Sequence, residues 1–67
     1  RKMKINTKYY EASHGKRPKG YGLWFFQLSY LKGRVETFHS TGKYGEAQRM
    51  ALRFASSTKA EEVAVLA

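Results

Sequence analysis

One apolar segment, residues 23–31, limits the possible folds more than any other part of the chain. It reads Leu-Trp-Phe-Phe-Gln-Leu-Ser-Tyr-Leu, a composition rich in the aromatic residues that are typical of β-strands. Successive side chains of a strand point to opposite faces. One face therefore carries Trp24, Phe26, Leu28 and Tyr30, and the other carries Leu23, Phe25, Gln27 and Ser29. The segment is predicted to be the central strand of a sheet with aromatic side chains on both faces.

The shortness of the chain limits how such a strand can be buried. A chain of 67 residues buries only about 60% of the surface that it exposes when unfolded, so its core must be thin, and one helix layer on one sheet is the usual solution. Because the sequence contains no cysteine, disulfides and thiolate metal ligands are excluded and stability must come from apolar burial. We expect a single domain over residues 1–67.

Two further strands are predicted beside the central one. Lys32 and Gly33 form a short turn, because glycine supplies the positive φ that a tight hairpin requires, and residues 34–39 return as an antiparallel strand. Residues 2–10 alternate polar and apolar side chains, the pattern of a strand with one face inward and one cationic face. The prediction is an antiparallel sheet of three strands.

After the hairpin in the sequence, the period of the apolar residues changes from two to 3.6. This change predicts an amphipathic helix over about residues 43–57. Its apolar stripe consists of Ala47, Met50, Ala51, Phe54 and Ala55. Residues 61–66 are mostly apolar and predict either a short fourth strand or a tail. The expected fold class is α+β, with a small antiparallel sheet packed against one amphipathic helix.

Positive charge is concentrated near the amino end. The chain has a net charge of +8 and a pI of 10.1, and a pI above about 9 is typical of domains that bind polyanions. Residues 1–20 hold seven of the basic residues and one of the acidic ones, which accounts for six of the eight net charges. Residues 11–22, which overlap this basic segment, are rich in glycine and predict an exposed basic loop. Two interpretations stay open, a solvated loop and a loop that contacts phosphates, with Tyr21 at its edge.

The basic strand face also suggests an interface. If Lys2, Lys4 and Lys8 join Arg34 in the sheet, they form a basic surface able to lie in the DNA major groove, which admits a two-stranded ribbon. The predicted nucleic-acid-binding residues are Lys2, Lys4, Lys8, Lys16, Arg17, Lys19, Gln27, Lys32 and Arg34. The predicted stacking or docking aromatics are Tyr21, Trp24 and Phe26. The competing interpretation is a solvated strand face that carries lysines to resist edge pairing.

No motif for catalysis, metal binding or a cofactor is present. The sequence lacks Asp, and His14 and His39 lie 25 positions apart without a carboxylate or thiol at ligand spacing. The glycine-rich segment 15–22 leads into a strand, unlike a nucleotide-binding loop, which leads into a helix. No apolar run reaches the roughly 18 residues of a membrane span. We expect no enzymatic activity, no catalytic or metal-binding residues, no cofactor and no membrane insertion.

Four sequence blocks carry a resemblance to a known family. They are Trp24-Phe25-Phe26-Gln27-Leu28, Lys32-Gly33-Arg34, Phe38, and Lys43-Tyr44-Gly45-Glu46-Ala47-Gln48-Arg49-Met50-Ala51. Their order resembles the AP2/ERF DNA-binding domain, in particular the version found in apicomplexan transcription factors, over roughly residues 8–55. The resemblance implies that the sheet enters the major groove, with Arg34, Trp24 and Gln27 near bases and the helix as support. Glu11 and Glu36 stand where that family would have Arg.

Two functions of different classes stay open. The first is nucleic-acid binding, with duplex DNA favoured, in which the amino-terminal strand and loop contact phosphates and the sheet hairpin contacts bases. The second is a small basic accessory subunit that docks on an acidic protein or ribonucleoprotein surface within a larger assembly. A peripheral membrane module is disfavoured, because the helix stripe is mostly Ala and lacks a wide apolar face. The AP2-like interpretation implies a nuclear location, and a processed start at Arg1 implies an organelle.

Overall fold

Four strands and two helices make up residues 4–66, which the computed structural model describes. The elements are β1 (Ile5–Asn6), α1 (Lys8–His14), β2 (Tyr21–Ser29), β3 (Val35–Lys43), α2 (Tyr44–Thr58) and β4 (Glu62–Val65). The sheet order is β1-β4-β2-β3, with β2 antiparallel to both of its neighbours and β1 parallel to β4. The predicted α+β class is confirmed, and the carboxy-terminal segment forms a strand rather than a tail.

The core lies between the sheet and α2, on the side that we call the helix face. Phe26 and Leu28 of β2 are fully buried there, and their register partners on β4 are Val65 and Val63. From α2, three small residues one helical turn apart face the sheet, namely Ala47, Ala51 and Ala55, each at most 1% exposed. Alanine side chains let the helix backbone approach the sheet closely, which explains how so short a chain reaches the close packing of a protein interior.

The bounds predicted for α2 are correct to within one residue, but its buried stripe is narrower than predicted. Met50 is 55% exposed and Phe54 is 38% exposed, so both lie at the border of the stripe and not in its centre. Phe54 stacks on Phe38 of β3 with ring centroids 5.5 Å apart. Lys59 ends the helix in a left-handed conformation. None of the helices in residues 4–66 is long and apolar enough to cross a membrane.

The amino-terminal segment differs most from the prediction. The strand predicted over residues 2–10 is wrong beyond Ile5–Asn6, because the chain turns into α1 at Lys8. Short-range polar contacts favour this turn: the Lys8 backbone N–H donates to Oδ1 of Asn6 (2.9 Å), and the Thr7 hydroxyl donates to the Glu11 carboxylate (2.6 Å). Side chains of this kind stabilise the first turn of a helix.

The predicted loop is correspondingly shorter. Residues 11–14 belong to α1, and Gly15 ends this helix with φ of 72°, its N–H donating to the Glu11 carbonyl at 2.8 Å. Because β2 begins at Tyr21, the irregular segment consists of residues 15–20. We refer to residues 15–20 as the basic loop.

Candidate functional site

The side of the sheet opposite α2, which we call the open face, is exposed along the β2–β3 hairpin. Its register pairs are Leu23 with Thr41, Phe25 with His39, and Gln27 with Thr37. All of these side chains are exposed except Gln27, which is half-buried. Phe25 is 39% exposed and its ring lies 5.8 Å from that of His39. The open face therefore combines aromatic, apolar and hydrogen-bonding side chains on a two-stranded ribbon.

A cleft of about 340 Å³ adjoins the open face where α1 and the basic loop pass the first half of β2. We call this cleft the aromatic cleft. Its main lining side chains are Tyr10, His14, Lys16, Lys19, Tyr21 and Phe25. The Tyr10 and His14 rings stack with centroids 4.1 Å apart, and Tyr21 is 79% exposed. Phe25 belongs to both features, so the cleft and the open face form one continuous surface.

The basic loop is held in place although its cations are exposed. Pro18 is buried, and the carbonyl of Gly20 accepts a hydrogen bond of 2.8 Å from the backbone N–H of Tyr44. Lys16 and Lys19 line the aromatic cleft, whereas Arg17 lines a second cleft beside α2. The loop thus presents positive charge to two separate clefts.

The basic strand face predicted from Lys2, Lys4, Lys8 and Arg34 does not form. Lys2 lies outside the described residues, and Lys8 is part of α1. Lys4 directly precedes β1 and Arg34 directly precedes β3, and these two strands are the opposite edges of the sheet. Strand order, which alternation alone does not determine, separates the residues that the prediction joined.

The Arg34 side chain contacts two neighbouring side chains, Tyr30 and Glu36. Its guanidinium carbon lies 4.3 Å from the centre of the Tyr30 ring, and its Nη2 atom lies 3.8 Å from Oε2 of Glu36. The Tyr30 hydroxyl in turn bonds Thr58 of α2 at 2.7 Å. The Arg34 side chain therefore contacts Tyr30 and Glu36, while 62% of it stays exposed. Lys32 is exposed in the turn that connects β2 to β3, with φ of 67°.

Two of the predicted docking aromatics are core residues. Trp24 and Phe26 lie on the helix face with exposures of 6% and 0%, and Trp24 Nε1–H donates to the Gly42 carbonyl at 3.1 Å. A buried ring offers no face to a base or a partner protein, so this part of the prediction is wrong, whereas Tyr21 is accessible. The sequence interpretation overlooked Phe25 and His39, although the β2 alternation placed Phe25 on the face opposite Trp24 and Phe26.

The second cleft, of about 300 Å³, lies between the residues around β1, the basic loop and the first turns of α2. We call this second cleft the junction cleft. Its polar lining residues are Lys4, Thr7, Arg17, Tyr44 and Gln48. The Tyr44 hydroxyl oxygen is buried and has no hydrogen-bond partner among the described residues. Burial raises the pKa of Tyr44, and the positive charge of Arg17 opposes that rise.

Within residues 4–66, no group of three or more His and Glu side chains is positioned to hold a metal ion. Comparison of the chain with models of known protein families finds no match, and no curated protein and no solved structure matches it significantly. The resemblance to the AP2/ERF domain accordingly stays a prediction carried by the sequence blocks alone.

Proposed function

We propose that this domain binds nucleic acid, with duplex DNA favoured, through the open face and the aromatic cleft. One observation carries the proposal: Lys16 and Lys19 border the exposed rings of Tyr21 and Phe25 on a surface continuous with the hairpin. Lysines supply the electrostatic attraction to phosphates, and exposed aromatic rings beside them supply stacking surfaces for bases. Binding, rather than catalysis, is the activity that this combination supports.

The β2–β3 hairpin has dimensions that suit the major groove. Its two strands pair over nine residues each, a ribbon about 30 Å long, and the groove is wide enough for two strands. Gln27, Thr37 and Thr41 offer hydrogen-bonding groups to base edges, while Lys43 lies exposed at one end. The resemblance to the AP2/ERF domain implies the same use of the sheet, with Arg34, Trp24 and Gln27 near bases, and of these three Gln27 lies on the open face.

Salt dependence of binding to a mixed-sequence DNA duplex tests the proposal. Each phosphate contact contributes about −0.9 to the slope of log affinity against log salt. We expect the double variant Lys16→Gln/Lys19→Gln to make the slope shallower by up to about 1.8. The matched control Arg49→Gln/Arg53→Gln removes the same charge from exposed positions on α2 and should change the slope much less. A flat salt response of the unaltered protein would contradict the proposal.

An NMR titration of the labelled chain with the same duplex maps the contact surface. We expect shifts at Gln27, Thr37 and His39 on the open face together with shifts in the basic loop. Shifts confined to the loop would indicate nonspecific charge attraction without base contacts, and no shifts would favour a protein partner.

A second candidate function, docking as a small basic subunit on an acidic protein or ribonucleoprotein surface, is favoured by one observation. Apolar side chains are exposed on the open face and at the hairpin turn, namely Leu23, Phe25, Leu31 and Val35, and large exposed apolar side chains favour burial against a protein partner. Copurification from cells with and without nuclease separates the two functions. Association that survives nuclease treatment favours the subunit, and association that is lost favours nucleic-acid binding.

A further inference from the structure

The junction cleft is a separate feature from the surface that carries the proposed function. It forms where three parts of the chain meet. The residues on either side of β1 contribute Lys4 and Thr7, the basic loop contributes Arg17, and α2 contributes Tyr44 and Gln48. None of its lining residues belongs to the aromatic cleft, and it lies on the helix side of the basic loop. An inference about this cleft therefore does not rest on the proposed function.

The Tyr44 hydroxyl is the most unusual group in the cleft. Its oxygen is buried without a hydrogen-bond partner among residues 4–66, although buried polar groups in native proteins are nearly always paired. Burial raises the pKa of this phenol, so the hydroxyl keeps its proton at neutral pH and is available as a donor. The opposing influence of Arg17 on the same pKa means that the guanidinium charge acts at the phenol oxygen.

The remaining polar groups of the cleft are mainly hydrogen-bond donors. Arg17 and Lys4 bring two positive charges, and the Gln48 amide adds a further donor. No carboxylate lines the cleft in the described part of the chain, and the nearby Glu11 carboxylate already accepts a hydrogen bond of 2.6 Å from the Thr7 hydroxyl. Guanidinium and ammonium groups beside a hydroxyl donor match the several acceptor oxygens of a phosphate.

The start of α2 adds to this preference. The helix begins at Tyr44, and its N-cap residue Lys43 makes no side-chain capping bond. The partial positive charge of the helix terminus favours an anion near its first turn. We propose that the junction cleft binds a phosphate group, held by Arg17, Lys4 and the Tyr44 hydroxyl, with Gln48 at its edge. Such a ligand joins β1, the basic loop and α2, and it supplies a partner for the Tyr44 hydroxyl, which has none among residues 4–66.

Thermal unfolding in inorganic phosphate, compared with chloride at equal ionic strength, tests the site. A ligand that binds only the folded protein raises Tm in a concentration-dependent manner, so we expect a rise specific to phosphate in the unaltered protein. Tyr44→Phe should lose most of this rise although it keeps every charge, and Arg17→Gln should lose it as well. Arg53→Gln removes the same charge as Arg17→Gln from an exposed position on α2 that lines neither cleft, and it should retain the rise. An equal rise in Tyr44→Phe and the unaltered protein would overturn the proposal.

An NMR titration with inorganic phosphate, which does not depend on the stability of the variants, gives a second test. We expect saturable shifts at the amides of Thr7, Arg17 and residues 44–48, and the absence of shifts there would overturn the proposal. Repeating the titration with duplex DNA identifies the source of the phosphate. Shifts at the same amides that inorganic phosphate reverses identify a backbone phosphate, and DNA that leaves these amides unchanged identifies a free phosphate compound as the ligand.

Discussion

The two faces of β2 differ in environment although their residue types are similar. Phe26 on the helix face is fully buried against α2, whereas its chain neighbour Phe25 on the open face is 39% exposed beside His39. The helix face supplies the burial that stabilises the fold, and the open face keeps an aromatic surface that the fold does not need. In a small sheet such as this one, an apolar strand is buried on one face only. The apolar side chains of its other face are therefore candidates for a binding surface.

Truncating the two phenylalanines is the most direct test of this comparison. We expect Phe26→Ala to cost about 3–5 kcal/mol in unfolding free energy, because it leaves a cavity in the core. A domain of this size has about 3–10 kcal/mol of stability in total, so the variant should be largely unfolded. Phe25→Ala should cost about 1 kcal/mol. Urea unfolding followed by circular dichroism measures both, and equal losses would show that the open face is also part of the core.

The closeness of α2 to the sheet gives the next largest expected effect. Ala51 is fully buried, whereas its neighbour Met50 is 55% exposed. Ala51→Leu should therefore destabilise the protein by about 1–3 kcal/mol through overpacking, and Met50→Leu, one residue away on the same helix, should change the stability by less than about 0.5 kcal/mol. The midpoint of urea unfolding distinguishes the two, and a tolerated Ala51→Leu would mean that the helix sits farther from the sheet than described.

These contrasts also explain which parts of the fold the sequence predicts. The alternation in β2 and the 3.6 period of α2 are strong sequence patterns, because each element buries one side. The bounds of both elements were therefore predicted to within a few residues. The helical conformation of residues 8–14 was missed because local bonds from Asn6 and Thr7 outweigh a weak alternation of polar and apolar residues. The parallel pairing of β1 with β4 depends on contacts between the chain ends, which no local pattern reports.

The site was harder to predict than the fold. The sequence identified the basic loop and Tyr21, but it grouped the loop cations together, whereas Lys16 and Lys19 line the aromatic cleft and Arg17 lines the junction cleft. Arg34 was predicted to contact bases, but its guanidinium lies over the Tyr30 ring with Nη2 3.8 Å from the Glu36 carboxylate. Composition gives the charge of a segment, whereas the direction of each side chain depends on packing that only the fold determines.

The open face should respond to mutation in binding more than in stability. Tyr21→Ala removes a ring that is 79% exposed, so we expect little change in unfolding free energy and a loss of about 1–3 kcal/mol in binding to DNA if a base stacks there. That loss corresponds to roughly a 5- to 150-fold rise in Kd. Fluorescence anisotropy with a labelled duplex measures it, and Tyr9→Ala, which truncates an exposed tyrosine of α1 outside the aromatic cleft, is the control. Equal losses in both variants would contradict a specific role for Tyr21.

The smallest expected effect concerns Tyr44, which belongs to α2 but lies at the border of the core. Because burial raises the pKa of this phenol in the folded protein, the folded state holds its proton more tightly than the unfolded chain, whose tyrosines titrate near pH 10. The resulting stabilisation is complete below that pH and is lost as the pH rises through the folded pKa. Tyr44→Phe should be nearly neutral or slightly stabilising at pH 7, since the Tyr44 hydroxyl has no hydrogen-bond partner within the described residues. It should also lose less stability than the unaltered protein above pH 10, as measured by urea unfolding across an alkaline pH series. Identical pH profiles for the two proteins would mean that the Tyr44 hydroxyl is solvated, which would also remove the main argument for a phosphate in the junction cleft.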